Sequence, residues 1–166
     1  MRGKDKVIAH LNEALRAELT VISQYFMHAE MQENWGYHRL GELIKKQSID
    51  EMKHAEEVIE RILFLEGTPN MGMGLALKVG QNVKAQLEHD LALEVEAVAQ
   101  YNAAVKVCVA EGDNTSRDLF ERFLKDEEKH IDFLEAELHV IQEAGIQNYL
   151  AQQIKEAEYA GPSECE

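Results

Sequence analysis

An all-α fold is predicted for this chain of 166 residues by three observations. Apolar residues recur with a period near 3.6 through four long segments, no stretch alternates as a strand would, and the breaks between segments are marked by Gly, Pro and Asn. The first segment runs from Val7 to about Gln32, with a seam of Ile8, Leu11, Leu15, Glu18, Ile22, Tyr25 and Ala29. Asn34-Trp35-Gly36 ends it in a turn so short that the second segment, His38 to Leu65, must fold back antiparallel. Residues 67–80, with Gly67, Pro69, Gly72 and Gly74, carry no helical period. Extended, they reach roughly 45–50 Å, about the ~42 Å length of a 28-residue helix. This connector therefore either runs the whole bundle or stays near its starting end. The third segment, Val83 to Ala110, has the seam Val83, Leu87, Asp90, Glu94, Val98, Tyr101, Val105 and Cys108. After Glu111-Gly112-Asp113-Asn114, Thr115 with Asp118 is expected to cap a fourth helix, which holds its apolar period from Leu119 to Ala144. A short fifth helix is expected over Asn148 to Glu158, so that residues 1–158 form one domain and 159–166 a flexible tail.

Composition narrows the function. With 45% hydrophobic and 29% charged residues and only 2 Pro, the chain can bury one core. Its 17 Lys and Arg against 31 Asp and Glu leave a charge of -14, which repels phosphate backbones and anionic lipid. Neither nucleic acid nor membrane is an expected partner. No segment approaches the ~18 consecutive apolar residues of a membrane span, and His10, Asn12, Glu13 and Arg16 interrupt any signal-peptide core. Cys108 and Cys165 form no C-x-x-C pair, so a cytoplasmic location is expected.

The chemistry lies in an internal duplication with an offset of 76 residues. Glu18-Leu-Thr-Val-Ile-Ser-Gln-Tyr25 matches Glu94-Val-Glu-Ala-Val-Ala-Gln-Tyr101, and Asp50-Glu-Met-Lys-His54 matches Asp126-Glu-Glu-Lys-His130. In each copy the first Glu precedes the second by 33 residues, with the midpoint inside the hairpin turn, so the pair sits level across the hairpin. Glu18 and Glu94 stand in apolar seams. Glu51 with His54, and Glu127 with His130, are i,i+3 neighbours in line with Ile44, Val58 and Ile62 and with Phe123, Leu134 and Ile141. Four carboxylates and two imidazoles thus converge on one level of the core. One Glu-x-x-His on a helix is common by chance; two in register are not. Unpaired buried ions cost several kcal/mol each, and no Lys or Arg occupies these core positions. Two divalent cations would balance four carboxylates, and an oxygen-rich set with one imidazole per metal suits iron or manganese better than zinc or copper.

A Glu on each of two helices, plus Glu-x-x-His on each of the other two, resembles the ligand set of ferritin-like di-iron proteins. Asn34-Trp35-Gly36, Ser48-Ile-Asp-Glu-Met-Lys-His54, Glu60-Arg-Ile-Leu-Phe-Leu-Glu-Gly67, Asp126-Glu-Glu-Lys-His130-Ile-Asp and Gln147-Asn-Tyr-Leu150 extend the resemblance to the bacterioferritin family along nearly the whole chain. The resemblance implies a ferritin-like four-helix bundle with a long crossover connection and a short fifth helix. It implies a homo-oligomeric shell of twenty-four subunits built from two-fold dimers, and a ferroxidase that oxidises Fe(II) with O₂ or H₂O₂ and stores Fe(III) as a mineral. The implied di-iron ligands are Glu18, Glu51, His54, Glu94, Glu127 and His130, with Glu51 and Glu127 bridging by position. Tyr25, two turns from Glu18 on the same face, is a candidate to hydrogen-bond a ligand or give up an electron; a buried tyrosine that only fills the seam is the other reading.

Met52 is where the repeats part. Its stripe, Lys45, Ile49, Met52, Glu56, Ile59, Leu63, is half apolar, while the counterpart Glu121, Lys125, Glu128, Asp132, Glu135, His139 is polar. The stripe is expected to bury against a partner subunit. The resemblance implies haem b, or a related iron porphyrin, held by Met52 from each of two chains against Leu19, Ile22, Phe26, Ile49 and Ile59, with a small ferredoxin as electron donor. The resemblance is incomplete at the inner-surface iron site of some relatives, which have a His and an Asp at the positions aligned with 46 and 50: here Lys46 stands in place of the His, beside Asp50. The leading alternative is a discrete di-iron or di-manganese peroxidase or oxidase of the rubrerythrin type, which the lack of a C-x-x-C pair and the short chain disfavour. A metal-free structural shell is disfavoured by the intact ligand set.

Overall fold

The computed structural model describes residues 2–72 and 74–154. Its elements are α1 (Asp5–Asn34), α2 (His38–Phe64), α3 (Val83–Glu111), α4 (Asn114–Ala144) and α5 (Ile146–Ala151), with no strand among the described residues. The four long helices fall within a few residues of their expected bounds, except at the start of α4. There Asp113, not Thr115, is the cap: its carboxylate accepts from Ser116 N at 3.0 Å and from Arg61 Nη2 of α2 at 2.7 Å. A carboxylate meets the positive end of the helix and pairs with the guanidinium, which a threonine cannot do. Gly112, at φ +72°, supplies the left-handed turn that ends α3 just before it. The fifth helix begins at Ile146 and closes at Ala151, earlier than expected at both ends. Residues 155–158 of its expected span, and the expected tail 159–166, lie outside the described residues.

The connector takes the long course. Asn70 N donates to Asn12 Oδ1 at 2.7 Å, Arg16 Nε to the Gly74 carbonyl at 3.3 Å, Lys78 N to Gln24 Oε1 at 2.8 Å and Gly80 N to His28 Nε2 at 3.0 Å. These bonds climb α1 from residue 12 to residue 28, roughly 24 Å. Helix α3 therefore starts at the end of the bundle opposite to where α2 stopped, and runs antiparallel to α1. Gly80 is needed at the landing, because a Cβ there would stand 2.4 Å from Gln86 N. On the far side α2 and α4 are also antiparallel, tied by Arg61 to Asp113 and by Arg122 Nη2 to Glu57 Oε2 at 2.6 Å.

The core is divided. One apolar cluster holds Leu11, Leu15, Val58, Ile62, Tyr101, Phe120 and Phe123 among others. The second holds Val21, Tyr25, Leu40, Ile44, Leu87, Leu134 and Ile141 among others. In every long helix the gap between the two falls at the carboxylate singled out by the duplication: Glu18, Glu51, Glu94 and Glu127 are buried between them. Seam positions differ from expectation in one regular way. Ile8, Ile22 and Val105 are only partly buried and pack at the edge, while their neighbours Val7, Val21 and Ala104 take the axis. Where two adjacent residues are both apolar, periodicity cannot choose between them, and close helix approach selects the smaller.

Candidate metal centre

Glu18 and Glu94 come from the middles of α1 and α3, and the two Glu-x-x-His pairs from α2 and α4. The four carboxylates are at most 2% exposed. Their donor atoms form two groups, Glu18, Glu51, His54 and Glu127 on one side and Glu51, Glu94, Glu127 and His130 on the other, each within 4.8 Å. Glu51 and Glu127 are common to both. The structure thus brings together all six residues expected at this level.

Contacts inside the cluster are close but poorly suited to hydrogen bonding. His130 Nδ1 lies 2.7 Å from Glu51 Oε1, and His54 Nδ1 lies 2.8 Å from Glu51 Oε2. Neither has hydrogen-bond geometry; both Glu51 oxygens, His54 Nδ1 and Glu94 Oε2 are buried without a hydrogen-bond partner. Buried polar groups are rarely left so. Lone pairs from different helices aimed at common points are what a metal ion requires, and the oxygen-rich donor set with one imidazole per group fits a hard or borderline divalent cation.

Electrostatics describe how the metal-free cluster holds its charge. Burial, then the charges of Glu51 and Glu127, push the Glu18 carboxyl well above the usual carboxylate range. Glu94 is raised likewise by burial, then by Glu127 and Glu51. For Glu51 burial also pushes upward, but the imidazoles of His130 and His54 outweigh it and hold the group at about 2. The same contacts overcome the burial of the imidazoles, with Glu127 and Glu51 raising His54 to about 11 and His130 to about 10. Without metal, protons supply the missing positive charge.

Two tyrosines complete the site. The Tyr25 hydroxyl donates to Glu94 Oε1, and the Tyr101 hydroxyl donates to Glu18 Oε1. Tyr25 therefore does hydrogen-bond a cluster carboxylate, but across the bundle to Glu94 rather than to Glu18 on its own helix. Both phenols are raised well above their ordinary range, first by burial and then by the adjoining carboxylate. The duplication aligned Tyr101 with Tyr25, yet spacing along single helices hid this crossing.

A second buried network went unread in the sequence. His28 and Asp90 are fully buried, with His28 Nδ1 at 2.9 and 3.0 Å from the two Asp90 oxygens. Gly80 N–H donates to His28 Nε2, which leaves Nδ1 to carry the proton toward Asp90. Gln24 Nε2 also donates to Asp90 at 2.8 Å, and Gln32 Nε2 donates to Gln86 Oε1 at 2.9 Å. The network pins the end of the connector to α1 and α3. The signal was the i,i+4 series Gln24, His28, Gln32, whose repeat counterparts are Gln100, Ala104 and Cys108.

Met52 stands apart from the cluster, 55% exposed on the outer face of α2. Ser48 Oγ donates to the Ile22 carbonyl at 2.9 Å, which fixes this stretch of α2 beside Leu19 and Ile22 of α1. Phe26 and Ile49 are half exposed on the same face. On the cluster's open side, Asp50, Lys53, His54, Glu57, Asp126, Lys129 and His130 line a surface pocket. No helix among the described residues is long and apolar enough to cross a membrane.

Comparison with known proteins gives a consistent result. A match to the ferritin family, described as a ferritin-like domain, covers residues 8–144. Bacterioferritin of Mycolicibacterium paratuberculosis is 44% identical over 152 residues, 92% of this chain and 96% of its own length. Bacterioferritin of Mycobacterium leprae is 44% identical with the same coverage, and that of Brucella melitensis is 44% identical over 90% of this chain and 92% of its own.

Proposed function

Because the chain belongs to the ferritin family, and within it to the bacterioferritins it matches along most of its length, we propose that it is an iron-storage ferroxidase. The observation that carries this reading is the pair of donor groups sharing Glu51 and Glu127. One Fe(II) takes Glu18 and His54, the other Glu94 and His130, and Glu51 and Glu127 bridge them. Each substrate ion displaces protons from the imidazoles and from the raised carboxyls, so the pair of cations replaces the protons that neutralise the free cluster. Each Fe(II) then loses one electron, and the pair reduces O₂ to H₂O₂, or H₂O₂ to water, with uptake of two protons. Asp50, Glu57 and Asp126, which line the surface pocket together with His54 and His130, give cations a route to the histidine side of the cluster.

In this reading the chain forms a single ferritin-like domain, assembles into a twenty-four-subunit cytoplasmic shell and releases Fe(III) into its cavity. The exposed thioether of Met52 is a donor type that would hold haem iron, with exposed Phe26 and Ile49 and partly buried Leu19, Ile22 and Ile59 as apolar walls. Met52 from each of two chains would hold haem b or a related porphyrin, which when bound supplies a one-electron relay between a small ferredoxin outside and the stored Fe(III). The test is stopped-flow absorbance on addition of Fe(II), with iron analysis of the sized particle. A fast phase saturating at about two Fe(II) per chain, on a particle that goes on to hold far more, supports a storage ferroxidase. Iron uptake that stops at two per chain would instead make it a discrete di-iron enzyme.

A further inference from the structure

We propose that Tyr101 is a positioning residue for Glu18, and so for the metal position on the His54 side, as Tyr25 is for Glu94 on the His130 side; the inference rests on the two-metal reading above. The two phenols are duplicates, and their hydrogen bonds cross: the α3 tyrosine holds the α1 carboxylate, and the α1 tyrosine holds the α3 carboxylate. Tyr25 and Tyr101 are at most 1% exposed, as are Phe120 and Phe123 beside Tyr101, so water has no ready access to replace either hydroxyl.

The two positions do not share these carboxylates. Glu18 belongs only to the group with His54, and Glu94 only to the group with His130. A hydroxyl that fixes Glu18 therefore acts on one metal and not the other. On the His54 side the arrangement is also packed as a unit. Tyr101 lies 5.7 Å from the Phe120 ring and 5.9 Å from Phe123, and Phe123 stacks on His54 at 4.3 Å. The duplicate of Phe123 is Gln47, so no phenylalanine stands at the equivalent position beside His130. The ring of Tyr101 packs among these aromatic neighbours, and it is the hydroxyl, by its hydrogen bond, that fixes the carboxylate. Loss of a group that orients a metal ligand commonly weakens metal affinity by about 10–100-fold.

The experiment titrates the metal-free assembled protein with Co(II) against a competing chelator, and locates the ions by anomalous diffraction from Co(II)-soaked crystals. The wild type should bind two Co(II) per chain. Tyr101→Phe, which keeps the ring, should weaken one of them by about 10–100-fold and lower occupancy on the His54 side alone. Tyr25→Phe should do the same on the His130 side. Phe120→Leu loosens the packing of Tyr101 without touching the hydroxyl and should leave both affinities near the wild-type values. Two unchanged affinities in Tyr101→Phe would overturn the inference, as would equal loss at both positions or an equal loss in Phe120→Leu. A wild type that binds fewer than two Co(II) would overturn the two-metal reading itself.

Discussion

Replacing Glu94 by Gln should stabilise the metal-free protein at neutral pH, although it removes a residue of the proposed centre. Glu94 is fully buried, and Gln keeps both its shape and an oxygen to accept from Tyr25. The carboxyl is pushed well above the usual carboxylate range by burial, then by Glu127 and Glu51, so between that range and its raised value the folded state binds more protons than the unfolded chain. A carboxyl with a raised folded-state pKa contributes fully below the ordinary carboxylate range, and that contribution is lost as pH rises toward the folded pKa. From that range to pH 7 is roughly 2.5 units, which bounds the effect at ~3.5 kcal/mol at about 1.4 kcal/mol per unit. The new amide N–H₂ has Glu127 and Glu51 nearby to accept from it, so little is lost through unpaired donors. The expected net gain is ~1–3 kcal/mol, or a rise in the thermal midpoint of roughly 2–10 °C for a chain of this size. Calorimetry in chelator at pH 7, 6 and 5 should show the gain shrinking steadily. In excess Co(II) the order should reverse, because the wild type gains binding energy that the variant lacks. A lower midpoint for the metal-free variant at pH 7, or a gain unchanged between pH 7 and 5, would refute the charge balance described here.

With His54 held at about 11 and His130 at about 10 in the metal-free protein, filling both positions at pH 7 should release at least about two protons per chain. Oxidation should therefore slow as pH falls; a weakly buffered titration that records no acidification would contradict this. Met52→Leu, close in volume, should keep the fast ferroxidase phase and lose the haem absorption, whereas an unaltered haem spectrum would remove Met52 from the proposed role. Asp113→Ala should cost ~1–3 kcal/mol by removing the α4 cap and the partner of Arg61. Burial works against the Asp113 charge, but Ser116 and Arg61 outweigh it and hold its pKa below the usual range. Its contribution is present above the ordinary carboxylate range and fades as pH falls through the lowered value, so wild type and variant should converge in acid. An equal gap at pH 7 and pH 3 in denaturant melts would count against it.

The four long helices were legible because their apolar periodicity runs over many residues between Gly-, Pro- and Asn-marked breaks, and the level of the cluster was legible because a duplication repeats two Glu and one His in register. What stayed hidden depends on distances between helices. Periodicity put Tyr25 on the face of Glu18, but its hydroxyl reaches Glu94 because α1 and α3 pack antiparallel at that level. The course of the connector could not be read from its length, since fourteen residues suit either path; it is fixed by backbone donors that find Gln24 and His28. Those two residues, with Gln32, read as an ordinary polar stripe until Asp90 and Gln86 arrive from α3. The α4 cap was misplaced because Asp113 owes its advantage over Thr115 to Arg61, fifty-two positions away in the chain.

The proposed ferroxidase requires two metal ions between α1, α2, α3 and α4 that share Glu51 and Glu127. Crystals of the protein loaded anaerobically with Fe(II) and measured across the iron absorption edge test it directly. Two anomalous peaks per chain are expected, one beside Glu18 and His54 and the other beside Glu94 and His130, with Glu51 and Glu127 reaching both. A single peak, or iron bound away from these six residues, would contradict it.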